Sequence, residues 1–185
     1  MNFDPNSTGQ KDSGIFALPY SQEEAQLVFI PVPWEVTTSF GHGTSLGPDG
    51  IFQSSKQMDL YDGLFGEFYQ AGLFQQPTNQ ELLSQSRVLK EKALHLRSLL
   101  ELGKPIEGED QTIQMEINKA SLNLNDWLYN QSKVVMENNK WAAAIGGDHS
   151  SPFGLIKALK EKYQEFSILN VDAHMDLRKA YQGYT

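Results

Sequence analysis

A chain of 185 residues, 39% hydrophobic and 21% charged, is long enough to enclose a sizeable core in one domain. Its formal net charge of -8 opposes nucleic acid and anionic lipid, which select basic faces, and no apolar run approaches the ~20 residues of a spanning helix, so neither nucleic acid nor membrane is expected as a partner. Cys is absent, which excludes disulfides and thiolate metal sites, and Met1 to Gly14 is polar without the order of a secretory leader, so a cytoplasmic location is expected.

Residues 1–26 read as an N-terminal arm, rich in Asn, Ser, Gly and Pro at first, then carrying an apolar patch at Ile15, Phe16 and Leu18. The rest, 27–185, reads as the body. Leu27 to Pro33 is continuously apolar, which suits a strand buried on both faces of a parallel sheet, and Pro31 and Pro33 place its end. Trp34 to Gly50 holds Gly41, Gly43, Gly47 and Gly50 and reads as a loop; His42 lies inside it. Ile51 to Tyr69 predicts a short helix followed by irregular chain. Gln80 to Leu102 is an amphipathic helix, with Leu82, Leu83, Val88, Leu89, Leu96, Leu99 and Leu100 at three- and four-residue steps, Thr78 as its cap, and Gly103 with Pro105 ending it. His95, inside that helix, has no ligand partner nearby in sequence. Gln111 to Asn138 predicts one long helix or two, buried through Ile113, Ile117, Leu122, Leu124, Leu128, Val134 and Val135. Trp141 to Ile145 reads as a central strand. A helix capped by Ser150 or Ser151, with Pro152 in its first turn, runs to about Tyr163. Phe166 to Val171 reads as another strand.

Strand, helices, strand, helix, strand is the order of an α/β layer fold with a mainly parallel sheet, in which sites lie beyond the carboxyl ends of the strands. Two stretches fall there. Gly146-Gly147-Asp148-His149-Ser150 offers an imidazole. Asp172, His174 and Asp176 occupy alternate positions after the second motif's strand, and residues two apart in extended chain share a face. Carboxylate and imidazole together suit manganese, nickel or zinc. Taken singly, His149 is as well explained as a helix-entry residue, and Asp172 or Asp176 as a turn residue; the set in this arrangement is what points to a metal.

GGDHS followed by DAHMDLRKAYQG resembles the ureohydrolases, that is arginases, agmatinases and their relatives, and most of all the agmatinase-like pattern DAHxDLRxxYxG. The resemblance implies a three-layer α/β/α sandwich with a mainly parallel sheet, incomplete in this chain. It implies two divalent ions, usually manganese with nickel as an alternative: His149 and Asp176 on one, His174 on the other, Asp172 bridging. Asp148 falls beside the ligands as a supporting residue. Arg178 and Tyr181 match the pattern as packing residues or substrate contacts. His42 stands where relatives place part of the pocket wall, so it is a candidate substrate contact. The implied reaction is hydrolysis of a guanidino C–N bond with release of urea, agmatine to putrescine first among substrates, and guanidinobutyrate, formiminoglutamate, arginine or guanidine behind it. The family's further aspartates, of the form SxDxDxxDP, and a catalytic histidine are expected beyond Thr185. The chain by itself is therefore expected to have little activity, and a homo-oligomer is expected of the full-length protein. A non-catalytic metal-binding or regulatory subunit is the alternative from another class.

Overall fold

The computed structural model describes residues 3–5, 12–38, 40–176 and 182–184. A three-stranded parallel sheet lies at the centre: β1 (Leu27–Pro31), β2 (Leu73–Gln75) and β3 (Trp141–Ile145), in the order β2-β1-β3. Leu27 is level with both Leu73 and Trp141, and Pro31 with Ile145. The helices are α1 (Gly47–Ser55), α2 (Gln80–Glu101), α3 (Glu109–Glu137) and α4 (Phe153–Tyr163). Among the described residues no helix is long and apolar enough to cross a membrane.

The unbroken apolar run of β1 is explained by its two covered faces. Val28 and Ile30 point into a core with Leu89, Ala93 and Leu96 of α2 and Ile117, Ala120, Leu124 and Leu128 of α3. Leu27 and Phe29 point the other way, onto Ile15, Leu18, Tyr69, Leu73 and Phe52. Helices therefore cover both faces of a parallel sheet, an α/β architecture in agreement with the expected fold. Ile15 and Leu18 are fully buried, so this part of the arm serves as a layer of the core. Lys140 secures it: its ammonium donates to the carbonyls of Gln22, Glu23 and Ala25 at 2.6, 2.7 and 2.7 Å, directly before β3 begins.

Several local expectations are corrected. Asn79, not Thr78, caps α2, its Oδ1 accepting from the N–H groups of Glu81 and Leu82; the Thr78 hydroxyl donates to Asp49 instead. Helix α1 begins at Gly47, inside the expected loop, with Pro48 in its first turn. Helix α3 is one continuous helix. Val88, Leu122 and Val134 are exposed. No side chain caps α4, and Pro152 stands at its N-cap. Phe166 to Val171 forms no strand. An apolar extended run becomes a strand only when a neighbouring strand offers a ladder, and the described residues provide none here; Leu169 and Val171 are 88% and 90% exposed.

Candidate metal centre

The site is built where β1 and β3 end side by side. Gly146 and Gly147 follow β3 with φ of +126° and +60°. A Cβ on Gly147 would stand 2.6 Å from the Trp34 carbonyl oxygen and 2.7 Å from that of Val32. Glycine alone permits that backbone approach. The turn is then fastened: the Asp148 N–H donates to the Trp34 carbonyl at 2.8 Å, and the Thr44 hydroxyl donates to the Gly147 carbonyl at 2.8 Å. His149 leaves the turn with its side chain 63% exposed.

Asp172 and Asp176 meet that imidazole from the C-terminal loop. Asp172 Oδ2 lies 3.5 Å from His149 Nδ1 and Asp176 Oδ2 lies 3.2 Å from His149 Nε2. One ligand atom from each of the three lies within 4.8 Å of the others. An imidazole and two carboxylates gathered this closely are a donor set of the kind that suits a hard or borderline divalent ion. His174 stands apart from this trio. Its side chain is 82% exposed and its Nδ1 is 3.6 Å from the other oxygen of Asp172.

Alternation along a strand is not what gathers these residues, because 172–176 is not extended. Asp172 Oδ1 accepts the His174 N–H at 2.8 Å, which turns the chain. Asp176 then adopts φ +48°, a region aspartate tolerates better than most residues. That His174 hydrogen bond first, with the His149 and His174 imidazoles, holds the Asp172 carboxyl below the usual carboxylate range against the effect of burial.

Asp148 supports the turn. One of its oxygens accepts from the Ser150 N–H at 3.1 Å and from the Ser150 hydroxyl at 2.5 Å. Burial pushes its carboxyl up, and its Oδ2 is buried with no hydrogen-bond partner among the described residues. Ser150 is thus committed to Asp148 rather than to capping α4.

A cavity of about 780 Å³ opens beside His149, walled by Val36, Thr37, Leu94, Leu122 and Phe153. His42 is exposed and is not among the described residues that line it. Arg178 and Tyr181 lie outside the described residues. Three residues that sequence reasoning passed over organise the loop at this cavity. Glu35 accepts the N–H groups of Gly43 and Ser45 at 2.8 and 3.0 Å. Ser86 Oγ accepts the Glu35 N–H at 3.0 Å, and Lys90 donates to the Thr38 carbonyl at 3.1 Å. A signal was present: Ser86 and Lys90 fall on the same helical stripe as Leu83 and Ala93, where polar residues need a buried partner.

The Arginase family model matches residues 25–185. An N(1)-aminopropylagmatine ureohydrolase of Thermus thermophilus is 27% identical over 175 residues, covering 95% of this chain and 46% of that protein. A protein of the same name from Synechocystis is 24% identical, covering 88% and 44%. An agmatinase of Bacillus cereus is also 24% identical over 88% of this chain and 44% of its own length. The chain spans under half the length of these curated relatives. No solved structure matches. With the family model matching from the arm's last residues through both motifs, the chain belongs to the arginase family.

Proposed function

We propose that this chain carries part of a metal-dependent ureohydrolase site that cleaves a guanidino C–N bond and releases urea. The substrate class is agmatine or an agmatine bearing an aminopropyl group, in keeping with the names of the relatives. The observation that supports it most is the convergence of Asp172 and Asp176 on the two ring nitrogens of His149. In this reading His149, Asp172 and Asp176 would hold one divalent ion, manganese first, and His174 would serve another together with Asp172. When bound, such ions supply Lewis acidity and a source of hydroxide at neutral pH.

The chain's own residues do the rest. The Asp172 carboxyl is held below the usual carboxylate range, so its negative charge is available to offset the positive charge of metal and guanidinium. Gly146 and Gly147 fix the imidazole at the sheet's end. The apolar wall formed by Val36, Leu94, Leu122 and Phe153 suits the methylene chain between the guanidinium and the far amine.

Calorimetric titration with Mn²⁺, run beside a urea-release assay on agmatine, tests this reading. Saturable Mn²⁺ binding that Asp172→Ala reduces at least ~10-fold is expected, since an Asp supplies a charged ligand. Equal Mn²⁺ affinity in the two proteins overturns the ligand assignment. Urea release by the 185-residue chain is expected to stay near background, because the remaining ligand aspartates of the family pattern are not among its residues. Robust turnover would show that the residues present complete the site by themselves.

A further inference from the structure

Lys90 is the buried charge that neither the core nor the ligand cluster uses. Only 4% of its surface is exposed, a rare setting for an ammonium. Its Nζ donates to the Thr38 carbonyl at 3.1 Å. Burial pulls its pKa down, and the nearby carboxylates of Glu35 and then Asp148 act against that pull. These are the same two carboxylates that organise the chain on either side of the candidate centre. Glu35 gathers the Gly43 and Ser45 N–H groups and so folds the loop 34–46 upon itself. Asp148 gives its own N–H to the Trp34 carbonyl at 2.8 Å. The loop is thus fastened to the turn carrying His149 at Trp34 and Thr44, and to α2 at Glu35 and Thr38.

We propose that Lys90 is a positioning residue: its buried ammonium anchors the 34–46 loop to α2, and through Asp148 that loop holds the His149 imidazole in register with Asp172 and Asp176. The role in a metal site rests on the functional reading above; the mechanical link does not. A lysine that merely fills space could be exchanged for an apolar stem of equal length with no effect on His149. Removing one member of a group of interacting charges costs the fold stability, because the Glu35 and Asp148 carboxylates are left without it. A lysine that anchors the loop cannot be so exchanged, because the Thr38 carbonyl loses its donor and the Glu35 and Asp148 carboxylates lose a neighbouring positive charge.

The test is Lys90→Met in the full 185-residue chain, read by amide hydrogen exchange, by ¹⁵N–¹H correlation of the histidine rings and by Mn²⁺ titration. The melting temperature is expected to fall, since the Thr38 carbonyl loses its donor and two carboxylates lose their counter-charge. Exchange at Gly43 and Ser45 is expected to quicken by about tenfold or more, with the hydrogen bonds there opening more often. The His149 ring signals should shift while those of His95, paired with Asp110 on the far side of α2, stay in place. Mn²⁺ binding should weaken several-fold. Should Lys90→Met fail to fold, Lys90→Leu, which removes both donor and charge with a shorter stem, is read in the same way. A folded variant with unchanged loop exchange and unchanged His149 signals overturns the proposal. If the unaltered chain binds no Mn²⁺, the functional reading falls, and the exchange and ring signals still decide whether Lys90 holds the loop.

Discussion

Asn79 and Thr78 stand next to each other before α2, and both are capping types, yet they do different work. Asn79 reaches back onto two free N–H groups of the first turn, while Thr78 ties to Asp49 of α1. Asn79→Ala is therefore expected to lower unfolding free energy by about 1 kcal/mol, and Thr78→Ala by less. Urea denaturation of the two variants checks the order. Leu96 presents a larger case. It is wholly enclosed between β1, α2 and α3, so Leu96→Ala is expected to cost about 2–5 kcal/mol through lost transfer energy and the cavity left behind, measured by the same titration. Side-chain type alone revealed that Leu96 is apolar and periodic. It did not reveal that Val88 and Leu122, equally apolar, face solvent or the cavity, because that depends on where the neighbouring helix ends its cover.

At the scale of elements, the long ones were legible and the short ones were not. Helices α2 and α3 and strands β1 and β3 announce themselves through periodicity or through a bounded apolar run. Strand β2, at three residues, is too short to carry a pattern, and it exists because Leu73 to Gln75 find the free edge of β1. Phe166 to Val171 is the opposite case, a run with strand composition and no ladder. For the candidate centre, the identity of His149, Asp172 and Asp176 was readable from the two motifs. The way they converge was not, since it depends on a turn at Asp172 and a left-handed backbone at Asp176 rather than on alternating faces. The segment 58–68 adds a feature that no pattern foretold. Asp62 accepts the N–H groups of Leu64 and Phe65 at 2.8 and 2.9 Å, and it pairs with Gly66 in a small antiparallel bridge. Those bonds, Phe65 first and then Leu64, hold the Asp62 carboxyl below the usual carboxylate range. A carboxyl whose folded pKa is depressed contributes stability in full above its unfolded value, about 4, and loses it as pH falls through the lower folded value. Exchange at the Leu64 and Phe65 amides, corrected for intrinsic rates, is thus expected to lose protection as pH drops below about 4. In Asp62→Asn, protection should not depend on pH over that range; an identical acid profile in both proteins would contradict the assignment.

For the molecule as a whole, two surface properties compete. A net charge of -8 keeps copies apart. Against it stand the exposed apolar side chains of one segment, Ile168, Leu169, Val171 and Met175. Patches of this kind favour association, since covering them returns apolar surface from water. Added salt screens the charge repulsion, with a Debye length of about 10 Å at 0.1 M and about 3 Å at 1 M, but leaves the apolar drive intact. Self-association is therefore expected to grow with salt as well as with concentration, the reverse of what ion pairing between copies would give. Sedimentation velocity at low and high salt reads this directly. Ile168→Thr with Leu169→Gln is expected to hold the chain at the monomer's sedimentation coefficient under both conditions. Neither residue supplies a ligand, so the double variant should keep the Mn²⁺ affinity of the parent. A double variant that still associates in high salt would place the contact on another face. One that stays monomeric but loses Mn²⁺ would mean that these apolar side chains, exposed as they are, help to hold the loop carrying Asp172 and Asp176 against His149.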